Sequence, residues 1–410
     1  MKVFNISYSD NSGGAARAAF RINQAMNQNS VDSTMYVNQK LSDDLFVKQI
    51  HHGLAKKLLP LRPSVGSIFT RLLKTNNPII HSPSILPSRW PKYINNSDAD
   101  IIHLNWINAE MLSIADIRKI NKPIVWTIVD MWAFCGAEHL SSDNRWKDGY
   151  TKKNRPSDES GLDMNQWTWK RKLKNWSSPI QIVTPSKWLA KCVNQSKLMH
   201  NWPVTVIPNP LDTNIWSPID KKLAKSLIGI PEDMPLILFG AHDGTASFHK
   251  GYDLLEESLL KLTSFKDKIS LAVIGQSKPE KSQKSKIHYL GHLNDDLSLR
   301  IIYSAADVMV VPSRQESFGY AAAEAHACGT PVVAFSIGGL KDVVDHRSTG
   351  YLAEPFNTSD FASGIEWILA EQQNGEYLSV NSRKKAVDFF SYESVSKEYL
   401  KVYKSIRNKT

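Results

Sequence analysis

Short runs dominated by apolar residues, each closed by a turn, constrain this chain most. Ile101–Leu104, Ile124–Ile128, Leu236–Gly240, Ser270–Ile274 and Val308–Val311 are the clearest. A strand with one wet face alternates apolar and polar side chains. A run without that alternation is covered on both faces, as in a parallel sheet flanked by helices. Helical stretches lie between the runs: Ala15–Met26 sets Ala19, Ile22 and Met26 at helical spacing, and helices are expected at Ala109–Lys119, Gly251–Leu262, Asp296–Ala305 and Tyr320–Ala327. This alternation predicts an α/β fold. At 410 residues the chain is too long for one ordinary core, so two doubly wound domains are expected, the second beginning near Pro218.

Composition narrows the partners. The net charge of +10 favours an anionic partner. No helix-turn-helix, zinc-finger or RNA-recognition signature is present, so nucleic acid is not expected. No apolar run approaches the roughly 18 residues of a membrane span, and residues 1–8 read as a strand rather than a signal peptide. The three cysteines, Cys135, Cys192 and Cys328, are scattered without a C-x-x-C pair, which fits reduced thiols in a cytoplasmic protein. Residues 51–74 mix Lys56, Lys57, Arg62, Arg71 and Lys74 with Leu58, Leu61, Ile68, Phe69 and Leu72. Such a basic amphipathic segment suits the surface of an anionic membrane, or simply packs on the sheet. No His/Cys cluster has metal-ligand spacing.

Two glutamates carry the chemistry. Glu316 and Glu324 lie eight residues apart in the stretch 310–335, after the strand Val308–Val311, with Ser317, Phe318 and Gly319 between them at a helix start. Eight helical residues would span about 12 Å, comparable with a sugar, a diphosphate and a ribose in line. The positive end of the helix dipole favours phosphate. A solvated acid and a helix cap are the plainer alternative. A second cluster is Phe239-Gly240-Ala241 followed by His249-Lys250-Gly251-Tyr252-Asp253, where Lys250 opens a helix.

This pattern resembles the donor site of family 4 glycosyltransferases, retaining enzymes of the GT-B fold, and is closest to those of bacterial O-antigen, capsule and colanic-acid assembly. The resemblance covers most of the chain. It implies an acceptor-binding Rossmann-like domain over 1–215, a nucleotide-sugar domain over 216–388, a cleft between them, and a helix over 389–410 that crosses back to the first domain. Glu316 would then meet the donor sugar, the backbone of Ser317, Phe318 and Gly319 the sugar and diphosphate, and Glu324 the ribose diol. Lys250 would neutralise the departing diphosphate, which is the charge that develops in transfer. His292 and Leu293 fall in the segment whose backbone meets the base, so GDP and UDP stay open. Gly13 and Gly14 would line the cleft at the diphosphate, and Arg17 is a candidate for an acceptor phosphate. No cofactor is expected beyond the donor, and no metal.

Two departures stand out. The family places a His before the Asp of a Thr-x-His-Asp-x-Trp signature; here Thr127-Ile128-Val129-Asp130-Met131-Trp132 has Val129. The Arg usual after the strand glycine is Ala241, with His242 or His249 as partial substitutes. Asp130 remains as the acceptor-side carboxylate, with His139 able to fold back toward it. His103 ends a neighbouring strand, and Trp106 suits either a sugar face or the core. The resemblance implies transfer from a GDP- or UDP-sugar to a bacterial, lipid-linked surface-polysaccharide acceptor at the inner face of the membrane. A silent nucleotide-sugar-binding subunit and a GT-B-type epimerase are the rivals.

Overall fold

The structure is a computed structural model. It describes all residues except 51–56, 142, 242–243, 266–267, 277–286, 294 and 409–410. His242 and the start of the basic segment, Lys56 included, lie outside the described residues. The chain divides into two compact units: Met1–Ile207 together with the chain from Ser396 onward, and Pro208–Val395.

The first unit holds a seven-stranded sheet. Its strands are β1 (Lys2–Ser9), β2 (Asp32–Gln39), β3 (Val47–Gln49), β5 (Ile101–Leu104), β6 (Ile124–Thr127), β8 (Gln181–Thr184) and β9 (Val204–Val206), ordered β3-β2-β1-β5-β6-β8-β9 and parallel throughout. The short pair β4 (Leu73–Lys74) and β7 (Ser160–Gly161) is antiparallel and separate. The core on one face is rich in tryptophan: Trp126, Trp132 and Trp176 meet edge to face, with centroids 5.4–6.2 Å apart. Such aromatic pairs add to plain area burial.

The second unit repeats the plan. Strands β10 (Leu236–Gly240), β11 (Ser270–Ile274), β12 (Ile287–Tyr289), β13 (Val308–Val311), β14 (Val332–Phe335) and β15 (Gly350–Ala353) run parallel in the order β12-β11-β10-β13-β14-β15. All four residues of β13 and of β14 are buried, which is why they read as unbroken apolar runs. Asp307 joins the starts of β10 and β13. Its carboxylate accepts from Leu236 N at 2.8 Å and pairs with Lys225 Nζ at 2.8 Å and Lys221 Nζ at 2.9 Å. Burial works to raise its pKa, and the two ammonium groups outweigh burial and leave it below the ordinary value.

In each unit the strand order reverses once, between β1 and β5 and between β10 and β13. Ligands of such sheets bind beyond the carboxyl ends of the strands at that reversal. The sheets therefore nominate the loops after β1, β5, β10 and β13.

Three sequence expectations need correction. The boundary falls after Ile207 rather than 215, because Leu211 exchanges backbone hydrogen bonds with Phe390 and Tyr392 and so joins the second unit. Likewise the residues before Ser396 belong to the second unit, so the crossing helix Tyr392–Arg407 joins the first unit only past its first turn. Finally, the expected helix Ala109–Lys119 shrinks to Ile114–Arg118. Ala109 and Glu110 are left-handed (φ 54 and 58), and Ser113 caps the helix in a reciprocal box with Asp116.

Candidate functional site

The residues expected to meet the donor collect beyond β10 and β13. Lys250 Nζ lies 2.7 Å from Glu316 Oε2, and Ser313 Oγ is 3.4 Å from the same oxygen. The Lys250 side chain is 38% exposed and Glu316 17%, so the pair is held yet accessible. Lys250 arrives through a close approach of two loops. Gly251 has φ +67, and a Cβ there would stand 2.1 Å from Pro312 O. Only glycine tolerates both conditions.

Arg314, missed in the sequence, fastens those loops. Its guanidinium grips Asp253 at 2.8 and 2.6 Å, donates to Phe248 O at 2.8 Å and lies 4.0 Å over the Phe248 ring, while its own N–H donates to His249 O at 2.8 Å. Bidentate Arg–carboxylate pairs fix orientation as well as distance. The ion pair also holds the Asp253 carboxyl below its usual range. His249 sits beside Lys250 and Arg314. Burial and then those two cations push its pKa down.

Glu316 is itself placed from behind. Gly339 N donates to Glu316 O at 2.8 Å; a Cβ on Gly338 (φ +48) would stand 2.1 Å from that oxygen, and one on Gly339 2.4 Å from Ser317 O. The Ile337-Gly338-Gly339 turn after β14 thus backs the Glu316–Phe318 turn. The double glycine after an apolar strand was a signal that sequence reasoning left unused. Phe318 is buried, so only its backbone is available to a ligand. Gly319 is left-handed (φ 107) and opens the helix Tyr320–Ala327 without a side-chain cap. Glu316 therefore sits on the turn, and Glu324 alone of the two acids is helical. The 12 Å estimate, which took all eight residues as helical, does not apply. Glu324 is 7% exposed, and Tyr303 OH donates to its Oε2 at 3.2 Å.

The segment expected to meet the base is knitted by backbone: Gly275 N donates to Gly291 O at 2.8 Å and Gly291 N to Gln276 O at 3.2 Å. Gln276 Oε1 accepts from Thr245 N and Thr245 Oγ1 at 2.9 and 2.5 Å, tying the loop after β10 to the loop after β11. His292 is exposed and Leu293 half-buried, next in the chain.

In the first unit, Gly13 and Gly14 follow β1 and open the helix Gly13–Gln28. Both are exposed; Gly13 has φ +83, and nothing lies within 4 Å of a Cβ added at either. Arg17 is half-buried on that helix. Asp130 follows β6. Its Oδ2 accepts from His139 Nδ1 at 2.6 Å and Trp106 Nε1 at 3.2 Å, and its Oδ1 from Trp132 N at 2.9 Å. His139 Nε2 is 2.8 Å from Ser82 Oγ. Burial works to raise the Asp130 pKa; His139, with the Trp132 and Trp106 donors, outweighs it and leaves it lowered. Asp130 is thus occupied in orienting His139. Lys172 braces the same loop: its Nζ donates to the carbonyls of Trp132, Cys135 (3.1 Å) and Gly136 (2.7 Å) and lies 3.9 Å over the Trp132 ring. His103 belongs to the packing of the last helix, not to this cluster: Nδ1 is 2.7 Å from Tyr403 OH and Nε2 2.7 Å from Thr127 Oγ1. Among the described residues no group of three or more His, Cys, Asp or Glu side chains is placed to hold a metal ion.

These two clusters coincide with two family models. Residues 12–215 match the model described as Glycosyltransferase Family 4, and residues 221–385 that described as Glycosyl transferases group 1. The chain is built of glycosyltransferase domains of the family 4 and group 1 type. An uncharacterized glycosyltransferase of Methanocaldococcus jannaschii is 31% identical over 241 residues, 55% of this chain and 60% of that protein. The chain spans between 42% and 60% of the length of the curated relatives it matches. Among solved structures, sucrose-phosphate synthase from Thermosynechococcus elongatus superposes with TM-score 0.71 at 17% identity, covering 100% of both chains. HepE of Anabaena, crystallised with UDP-glucose, superposes with TM-score 0.65 at 15% identity, covering 99% of this chain and 100% of that one. At such identities the likeness establishes the fold: two Rossmann-like parallel sheets of the GT-B kind.

Proposed function

We propose that this glycosyltransferase chain moves a sugar from a nucleoside-diphosphate sugar to a hydroxyl of a saccharide acceptor, with retention of configuration. The observation that carries the reading is the Lys250–Glu316 pair astride the β10/β13 reversal, with Glu324 one turn into the adjoining helix. An ammonium has three N–H donors, and one is spent on Glu316. The other two can meet a diphosphate as its charge develops. A buried carboxylate such as Glu324 suits a vicinal diol, from which it can accept charge-assisted hydrogen bonds.

Retention follows front-face displacement, in which the departing phosphate takes the acceptor proton. No strong protein base is then needed, and Val129 in place of a His is compatible with turnover. The acceptor is a bacterial surface-polysaccharide intermediate at the cytoplasmic face of the membrane. The described part of the basic segment supports that placement: Leu58, Leu61, Ile68, Phe69 and Leu72 are exposed beside exposed Lys57, Arg71 and Lys74. No helix among the described residues is long and apolar enough to cross a membrane.

One rival draws on specific residues. Val129 and Ala241 both remove groups the family uses, as a silent donor-binding subunit would. Incubating the purified chain with a panel of UDP- and GDP-sugars separates the two. Slow donor hydrolysis or transfer, abolished by Glu316→Gln in a variant that still folds, supports the transferase. Binding with no turnover under any donor and acceptor supports the silent subunit, and a new sugar nucleotide would mean an epimerase.

A further inference from the structure

The first unit contains a cavity of about 410 Å³ beneath the helix Leu61–Thr70. Small-molecule pockets run from about 300 to 1,000 Å³. Two lining residues, Glu110 and His81, each carry a buried polar atom with no hydrogen-bond partner among the described residues. Glu110 is 1% exposed; its Oε2 accepts from Ile85 N and Leu86 N, both at 2.7 Å, and its Oε1 is unpartnered. His81 Nδ1 lies 2.7 Å from Ile79 O. A carbonyl only accepts, so Nδ1 carries the proton. Burial lowers the ring's pKa, which leaves Nε2 a bare, buried lone pair without a partner. Both orphans are therefore hydrogen-bond acceptors, and buried acceptors demand donors.

The surroundings are built to keep them so. Ala109 and Glu110, both left-handed, turn the chain at this point, and Gly66 lets the helix rest on the glutamate, where an added Cβ would stand 2.9 Å from Glu110 Cγ. Pro63, Pro83 and Trp106 give apolar walls, and among the described residues no Lys or Arg lines the cavity. Two lining residues also belong to the acceptor-side cluster: Trp106 donates to Asp130, and Ser82 meets His139.

We propose that this cavity is an acceptor subsite for an uncharged, hydroxyl-rich ring, that is, a sugar residue, and that it rejects phosphate. Hydroxyls supply the two missing donors, and the ring's C–H faces lie on proline and tryptophan. An anion would meet the Glu110 carboxylate, and the two guanidinium groups whose charge reaches that carboxylate, Arg62 and Arg171, are turned onto backbone carbonyls of Glu110, Leu86, Pro83 and Ser84. The inference rests on the transferase reading and sharpens it: the group beside Asp130 is saccharide, not the phosphate of a carrier lipid.

Saturation-transfer NMR on the full chain tests this with methyl α-hexosides, methyl α-glucosaminide and, by phosphorus line-broadening, inorganic phosphate. At least one neutral hexoside should bind. Ser67→Trp, an exposed lining position where a large ring fills the cavity, should abolish that binding. Glu110→Gln should weaken it tenfold or more, with circular dichroism as the folding control for both. The proposal is overturned if no neutral hexoside binds, if binding survives Ser67→Trp in a folded variant, or if only the amino sugar or only phosphate occupies a site that Ser67→Trp closes. UDP and GDP titrations on the same wild-type sample read the donor site separately. Hexoside binding without nucleotide binding would sink the donor assignment and leave this one standing; the reverse would do the opposite.

Discussion

Glu316 is held from three sides, and each contact has a separate consequence. Its backbone is backed by Gly338 and Gly339, its carboxylate by Lys250 and Ser313. Gly338→Ala should lower turnover sharply, because the added methyl strikes Glu316 O and forces the turn to move. Lys250→Ala should cost about a hundredfold or more in turnover if its ammonium stabilises the leaving diphosphate, with less effect on donor KM. Steady-state kinetics with a hydrolysable donor reads both; a Lys250→Ala enzyme with unchanged kcat would remove that lysine from the chemistry. Part of this geometry could be anticipated: the resemblance to the family 4 pattern picks out Glu316, Lys250 and Glu324, and the structure brings Lys250 Nζ to 2.7 Å from Glu316. Glu110 and His81 did not stand out. A left-handed pair without glycine leaves no mark in sequence, and an orphan acceptor is defined by what fails to reach it in space.

At the scale of elements, the loops after β10 and β13 work as one piece because Arg314 and Asp253 clasp them. Asp253 is 62% exposed, so the ion pair contributes at most about 1 kcal/mol to stability. Its importance is positional. Arg314→Ala should leave the melting temperature within a few degrees of wild type and yet reduce kcat/KM at least tenfold, and Asp253→Asn should do part of the same. A matching fall in melting temperature and activity would instead mark Arg314 as a plain stabiliser. This clasp could not be read from sequence, since its partners are 61 residues apart. The elements it joins could. Val308–Val311 and Tyr320–Ala327 form at the expected bounds, the strand because an unbroken apolar run needs cover on both faces. The helix expected from Ala109 failed for the opposite reason: local propensity yielded to a turn that tertiary packing demands.

Across the whole molecule, the last helix closes the first unit through buried polar contacts. Tyr403 meets His103, and Tyr399 OH lies 2.9 Å from Thr127 Oγ1, which in turn meets His103. Burial depresses the His103 pKa to about 3. An unfolded histidine titrates near 6.5, so between those values the unfolded chain binds a proton that the folded one refuses. Stability is then lost as pH falls from about 6.5 toward 3, at up to about 1.4 kcal/mol per pH unit. His103→Gln should be less stable at pH 8 by about 1–3 kcal/mol, yet lose less per pH unit on acidification. Parallel urea-stability profiles for the two proteins would rule out His103 as a source of acid sensitivity.

The central claim is that the second unit grips a nucleoside diphosphate through Lys250 and the turn that leads into Glu324. Isothermal titration of UDP and GDP against wild type and Glu324→Gln tests it most directly. One of the two nucleotides should bind the wild type, and the variant, still folded, should bind it about ten- to a hundredfold more weakly, as expected for loss of charge-assisted hydrogen bonds from a ribose diol. Equal affinity in the two proteins, or no binding of either nucleotide to the wild type, would contradict it.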